Sequence, residues 1–189
     1  MKKCASLLMA MLLTLPLSAC SGTKEAGMSI KPSQFSEETT EVLEIFDEIQ
    51  FFDVSFDESA KSQKISVWVY RDGQWHEDGT IEGEIKSSDE RIAVQLTDTS
   101  FDLYLLDETG HTQYTYPVLE TALEESNAVL DWKIEEPVPV ELNQETAFRV
   151  KTGVEEHSMR TEVTPQDFRS TDCNAGIAVT LTVSEQEIE

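Results

Sequence analysis

The chain has 189 residues, 37 of them acidic and 14 basic, for a net charge of −23. An excess of that size excludes nucleic acid as a partner, because a phosphate backbone is bound through Lys and Arg, and it opposes flat docking on anionic lipid. It favours solubility and cationic partners, either basic polypeptides or divalent cations.

The first twenty residues have three parts. Lys2 and Lys3 supply a positive start, and residues 5–15 form an apolar run containing Leu7, Leu8, Met9, Met11, Leu12 and Leu13. Pro16 ends the run, and the small residues Ser18 and Ala19 precede Cys20. This is the layout of a secretory signal peptide. The run is too short for a membrane span, which takes roughly 20 apolar residues.

Leu17-Ser18-Ala19-Cys20 resembles the lipobox of bacterial lipoproteins, with Leu three positions before the cysteine and Ala immediately before it. The resemblance covers about a tenth of the chain and concerns processing, not a functional family. It implies cleavage before Cys20 and a diacylglycerol thioether on its sulfur. Each buried acyl methylene contributes about 0.8 kcal/mol, so two or more palmitate-like chains anchor stably. The expected location is therefore the cell membrane or outer membrane, lipid-anchored and extracytoplasmic. Residue 21 is Ser, so the Asp linked to inner-membrane retention in Gram-negative bacteria is not there. Removing residues 1–19 leaves 170 residues and takes two of the 14 basic side chains and none of the 37 acids, for a side-chain charge near −25. Cys173 is then the one thiol besides Cys20, so no internal disulfide is expected, and its expected role is that of a small buried apolar residue.

Residues 21–34 have the composition of a tether, with two glycines, one proline and little to bury. Residues 36–50 suit a helix. Ser36 is an N-cap, Glu37 and Glu38 suit the helix dipole, and Val42, Ile45, Phe46 and Ile49 recur at helical spacing. A strand competes there, since Leu43 and Ile45 alternate.

From Phe52 the period is two. Phe52, Val54 and Phe56 form one alternating set, and Ile65, Val67 and Val69 a second. Ile81 and Ile85 follow, then Ile92, Val94 and Leu96, then Phe101, Leu103 and Leu105. Turn chemistry separates the runs, with Asp72-Gly73 the clearest hairpin signal. Residues 119–126 read as a short helix or a loop, and 128–134 as a further strand. Pro137-Val138-Pro139 marks a sheet edge or linker, because proline cannot donate inside a sheet. Phe148 and Val150 alternate again. Ile177, Val179, Leu181 and Val183 form the cleanest half-buried strand. The loop between them, residues 153–176, carries Met159, Pro165, Phe168 and Cys173 and is expected to fold back on the core.

Short strands with one apolar face predict a mainly β chain: an antiparallel β-sandwich or barrel-like domain with one N-terminal helix and long loops. The expected division is a signal peptide at 1–19, lipidated Cys20 and a flexible tether at 20–35, and a single domain at 36–189. The roughly 50 residues after the proline seam are too few to stand alone, so they are expected to complete sheets begun earlier.

No catalytic motif stands out. The chain lacks a G-x-S-x-G elbow, an S-x-x-K, an H-E-x-x-H and a P-loop. Residues 72–79 crowd acids, His76 and glycines but lack the calcium-loop pattern, so they are expected to be a hairpin turn. Glu155-Glu156-His157 is expected to be a solvated loop. No metal or cofactor is expected.

Strand parity turns Trp68 and Tyr70 away from a core face holding Ile65, Val67 and Val69, and turns Tyr104 outward on its own strand. Tyr114 and Tyr116 share a face. Outward aromatics suit sugar stacking or a partner interface, unless another part of the chain covers them. The expected function is a lipid-tethered, non-catalytic binding module. Its ligand is either a cationic protein drawn by charge or a glycan stacked on Trp68, Tyr70 and Tyr104. The alternatives are an envelope hydrolase using paired carboxylates and a structural subunit of an envelope complex.

Overall fold

The structure, a computed structural model, describes residues 27–43, 49–97, 100–107, 110–116, 123–154 and 163–188. The period-two pattern becomes strands through most of this chain. β1 (Ser29–Pro32) is followed by a helix α1 (Glu37–Leu43), then β2 (Ile49–Ser55), β3 (Ser62–Arg71), β4 (Gln74–Glu84), β5 (Asp89–Leu96), β6 (Phe101–Asp107) and β7 (Gly110–Tyr116). After these come β8 (Ala128–Lys133), β9 (Val138–Pro139), β10 (Glu145–Val154) and β11 (Ala175–Ser184).

The strands make two antiparallel sheets. One has six strands in the order β7-β6-β5-β2-β1-β9, the other five in the order β4-β3-β11-β10-β8. Each sheet ends in two edge strands, so the fold is not a closed barrel. It is sandwich-like: Phe52, Ile92 and Leu103 of the first sheet share one buried cluster with Val67, Phe148 and Val179 of the second. Phe52 meets Phe148 edge-on across the gap, with ring centroids 5.0 Å apart. β11 lies between β3 and β10, so the last strands do complete a sheet begun by β3.

Local chemistry explains the connections. Arg71 and Gln74 pair across a two-residue turn in which Asp72 (φ 55°) and Gly73 (φ 80°) are both left-handed. Asp-Gly is suited to that geometry, which matches the twist of the flanking strands. Pro139 sits on edge strand β9, where no further strand needs its missing N–H.

Three expectations are corrected. The tether does not reach residue 34. Ser29–Pro32 is a strand paired on both sides, with β2 and β9, and both Met28 and Ile30 are buried. One buried side chain in four residues leaves no alternation to detect, and the neighbours supply the stability. The described helix is Glu37–Leu43, and Ile49 and Gln50, expected at its end, belong to β2 instead. Residues 44–48 lie outside the described residues. Ser36 does cap α1, accepting from the Thr39 amide at 3.3 Å. However, α1 buries no residue, and Val42, the one residue of the expected apolar stripe that it holds, is 56% exposed. A seven-residue helix is marginal without a packed apolar face.

The open edges β4 and β7 approach each other at one point. Tyr116 on β7 lies across Gly79 on β4 and donates its hydroxyl to the Thr80 carbonyl at 2.9 Å. A Cβ at Gly79 would stand 2.0 Å from Tyr116 Cε1. Gly79→Ala should therefore destabilise the fold by about 1–3 kcal/mol through overpacking, and Tyr116→Ala should relieve that cost. A double-mutant cycle by urea denaturation checks this. Additive effects would mean that the ring does not hold the edges together.

Candidate functional site

Parity correctly turns Trp68 and Tyr70 away from the inter-sheet core, but that outer face is covered. The chain folds back over it through residues 163–170, where Ala147 donates its amide to the Pro165 carbonyl at 2.6 Å. A short 3-10 turn, Phe168–Ser170, then drives Phe168 onto the sheet, where it is only 1% exposed. Phe168 packs edge-on against Trp75 at 4.9 Å and lies 6.1 Å from Trp68. Trp75 in turn meets Tyr70 at 5.5 Å and rests on Gly176, where a Cβ would come within 2.5 Å of its ring.

The polar end of Trp68 is matched, while Trp75 Nε1 is buried without a hydrogen-bond partner. Trp68 Nε1 donates to Glu145 Oε1 at 2.7 Å, and Thr180 Oγ1 donates to the same oxygen. Arg169 pairs with Glu145 Oε2 at 2.6 Å and lays its guanidinium over Trp68 at 4.0 Å, a cation–π contact.

Tyr104 is on the other sheet. It is half-buried there, and its hydroxyl accepts from Gln113 at 3.1 Å. Trp68, Tyr70 and Tyr104 therefore do not form one stacking platform, and the expectation of a shared glycan surface is corrected. Tyr114 and Tyr116 do share a face, but it is the inner one, packed against the core. Cys20, together with Glu155, Glu156 and His157, lies outside the described residues. Cys173 is half-buried. Burial, with the Asp172 carboxylate adding to it, pushes its thiol up to about 12, so it is not a thiolate near neutrality.

One concave feature that sequence reading missed is a cleft of about 370 Å³ between the two sheets. It lies along the open edges β4 and β7, beyond the Tyr116–Gly79 contact. Leu105 and Tyr114 supply its apolar lining, Gly83 lines the β4 side, and Glu84, Glu90 and Asp107 bring carboxylates. Lys86 and His111 also line it; both are exposed. Two inward-facing polar residues span the gap: Gln63 of β3 donates its Nε2 to Glu90 Oε2 of β5. Alternation explains both, since Gln63 continues the inward set of Ile65 and Val67, and Glu90 that of Ile92 and Val94. A signal was therefore present in the sequence, as polar residues in core register. Among the described residues, no three His, Cys, Asp or Glu side chains converge on a point that would hold a metal ion.

Burial raises the Glu90 carboxyl above the ordinary range. The Gln63 hydrogen bond pulls it down, and the nearby Asp107 carboxylate adds to the rise. Desolvation dominates, as expected for an acid held between two sheets. Comparison with family models, with curated proteins and with solved structures gave no match.

Two outcomes follow. Phe168→Ala should destabilise the fold by about 3–5 kcal/mol and increase acrylamide quenching of tryptophan fluorescence. Unchanged quenching would mean that residues 163–170 do not cover Trp68 and Trp75. The second concerns Glu90. Its folded carboxyl binds a proton more tightly than the unfolded one, so its contribution to stability grows as pH falls through the raised value and is complete below about 4.5. Glu90→Gln should thus be more stable than wild type at pH 7 to 8, with the gap closing towards pH 4.5. Urea midpoints across that window measure it, and a pH-independent gap would contradict the desolvation account.

Proposed function

We propose that the chain is a lipid-anchored, extracytoplasmic, non-catalytic binding domain whose partner is a cationic polypeptide. The observation that carries this reading is the cleft between the sheets, where Glu84, Glu90 and Asp107 gather on a chain of net charge −23. The three carboxylates outnumber the one ammonium of Lys86 there, and a cleft with such an excess concentrates field between low-dielectric walls and speeds the capture of opposite charge. The resemblance of Leu17-Ser18-Ala19-Cys20 to a lipobox supports the anchor. A glycan on Trp68 and Tyr70 is the weaker reading, because Phe168, Arg169 and Trp75 already occupy those rings.

One observation favours a second reading. Glu90, whose carboxyl burial raises above the ordinary range, shares the cleft with Asp107, and two carboxyl groups in unlike environments flanking one cleft are the equipment of a glycoside hydrolase. Turnover of peptidoglycan or another polysaccharide that disappears in Glu90→Gln would establish that reading and remove the non-catalytic one.

The binding test uses the full chain in detergent with a basic lytic enzyme of the lysozyme class, against an acidic protein of similar size. Binding to the basic protein should weaken by on the order of tenfold or more between about 0.01 and 0.15 M salt, as the screening length falls from about 30 to about 8 Å. Charge removal at the cleft (Glu84→Gln with Glu90→Gln) should cost more affinity than equal removal at the opposite edge (Glu135→Gln with Glu136→Gln). Equal losses would remove the cleft from the binding surface. In cells, Cys20→Ser should move the protein out of the membrane fraction, and retention there would remove the lipid anchor.

A further inference from the structure

We infer that the cleft between β4 and β7 is a seat for one basic side chain, taking the ammonium of a lysine or the guanidinium of an arginine from the partner. The inference rests on the proposed cationic partner and adds where, and by which atoms, it is held.

The reasoning starts from hydrogen-bond capacity. Gln63 is 4% exposed, and its amide spends an N–H on Glu90. A carboxylate only accepts, so the amide NH2 faces it and the amide oxygen is turned elsewhere. That oxygen, Oε1, is buried and has no hydrogen-bond partner. A buried acceptor left unmade costs roughly 1–3 kcal/mol, so it is a place where a ligand donor gains more than it would at an exposed oxygen.

Among the charged side chains that line the cleft with Gln63, three are carboxylates, Glu84, Glu90 and Asp107, against the one ammonium of Lys86. The Glu90 carboxylate lies beside the Gln63 amide, and the Asp107 carboxylate lines the same space. Such a set asks for a ligand with several N–H donors and a positive charge. An ammonium brings three donors and a guanidinium five. A bare divalent ion fits less well, since no three ligating side chains converge among the described residues.

The cleft also has the shape for the stem of such a side chain. Leu105 and Tyr114 give it apolar walls for methylenes, which long basic side chains bury readily. Gly83 leaves the β4 wall open, and a Cβ there would meet nothing within 4 Å. The chain's own Lys86 stands exposed at the cleft and makes no ion pair with Glu90, so it does not fill the seat.

The test is a titration of the full chain in detergent, 15N-labelled, with Nα-acetyl-lysine methylamide and with the uncharged isostere Nα-acetyl-norleucine methylamide. Saturable shifts are expected with the lysine compound alone, centred on the Gln63 side-chain NH2 and the Gly83 amide. Glu90→Gln should weaken binding at least fivefold. Gly83→Leu should abolish it by filling the cleft, with Gly83→Ala as a folded control that retains it. Equal response to both compounds, or lysine shifts that survive Gly83→Leu, would overturn the seat. If salt-sensitive binding of the basic protein persists while the lysine compound fails, the seat is wrong and the cationic partner stands. If both fail, the partner reading is lost as well.

Discussion

The central strands β10 and β11 of the five-stranded sheet are buried on both faces, and much of the structure answers to that constraint. Nine consecutive residues of β11, Ala175 to Val183, are buried but for Thr182, and eight of the ten in β10 are. A strand buried on both sides needs two covers. The inner cover is the six-stranded sheet. The outer one comes from the chain itself, with Phe168 set among Trp68, Trp75 and the small residues Ala147 and Ala178. Small residues on β10 and β11 and a glycine at 176 leave a trough on the outer face, and the large rings fill it. Glu145 then satisfies the indole of Trp68, the hydroxyl of Thr180 and the guanidinium of Arg169 together, so the cover closes without stranding those donors.

The charge balance follows a related logic. Several of the scarce cations are bound into the fold. Lys64 pairs with Glu77, Arg71 with Asp78, Arg91 with Asp53, and Arg149 with Asp131. The exposed pairs are worth little individually. Arg149 differs because it is 2% exposed, and removing Asp131 would strip a charge partner from a buried guanidinium, which is costly. Asp53 shows the opposite side of the exchange. Burial pushes its carboxyl up, but hydrogen bonds from Arg91 and Ser33 and the charge of Arg91 and Lys31 bring it below the ordinary range. With cations spent on such internal pairs, the surplus acids set the surface field.

How much of this was legible depended on how far each feature relied on near neighbours. Alternation located the long strands, and Asp72-Gly73 marked the hairpin, because both are local requirements. Ser29–Pro32 was not readable, since one isoleucine in a short strand has no pattern of its own and is held by β2 and β9. Phe168 was expected to fold back, but where it lands depends on Gly176 and Ala178 far along the chain. That landing is what turned apparently free aromatics into a second core. For the cleft, Gln63 and Glu90 stood in core register, and polar residues there signal either a crossing bond or a site. Their meeting depends on how two sheets stack, which no single strand encodes.

The geometry of the cleft comes down to two glycines on one strand. Gly79, Ile81 and Gly83 all face inward on β4. At Gly79 the missing Cβ admits the Tyr116 ring, and the edges of the two sheets are pinned there. At Gly83 the missing Cβ is met by nothing, and the space it leaves is bounded by Tyr114 and the carboxylates instead of by more core. A fold that needed only stability would fill that volume with a side chain as large as Ile81, and would replace the Gln63–Glu90 bridge with apolar residues that cost nothing to desolvate. Keeping a desolvated acid, an unsatisfied amide oxygen and an open wall together carries a penalty at neutral pH. The inferred basic side chain would offset that penalty, by donating to the amide oxygen and the carboxylates and by laying its methylenes along the open wall.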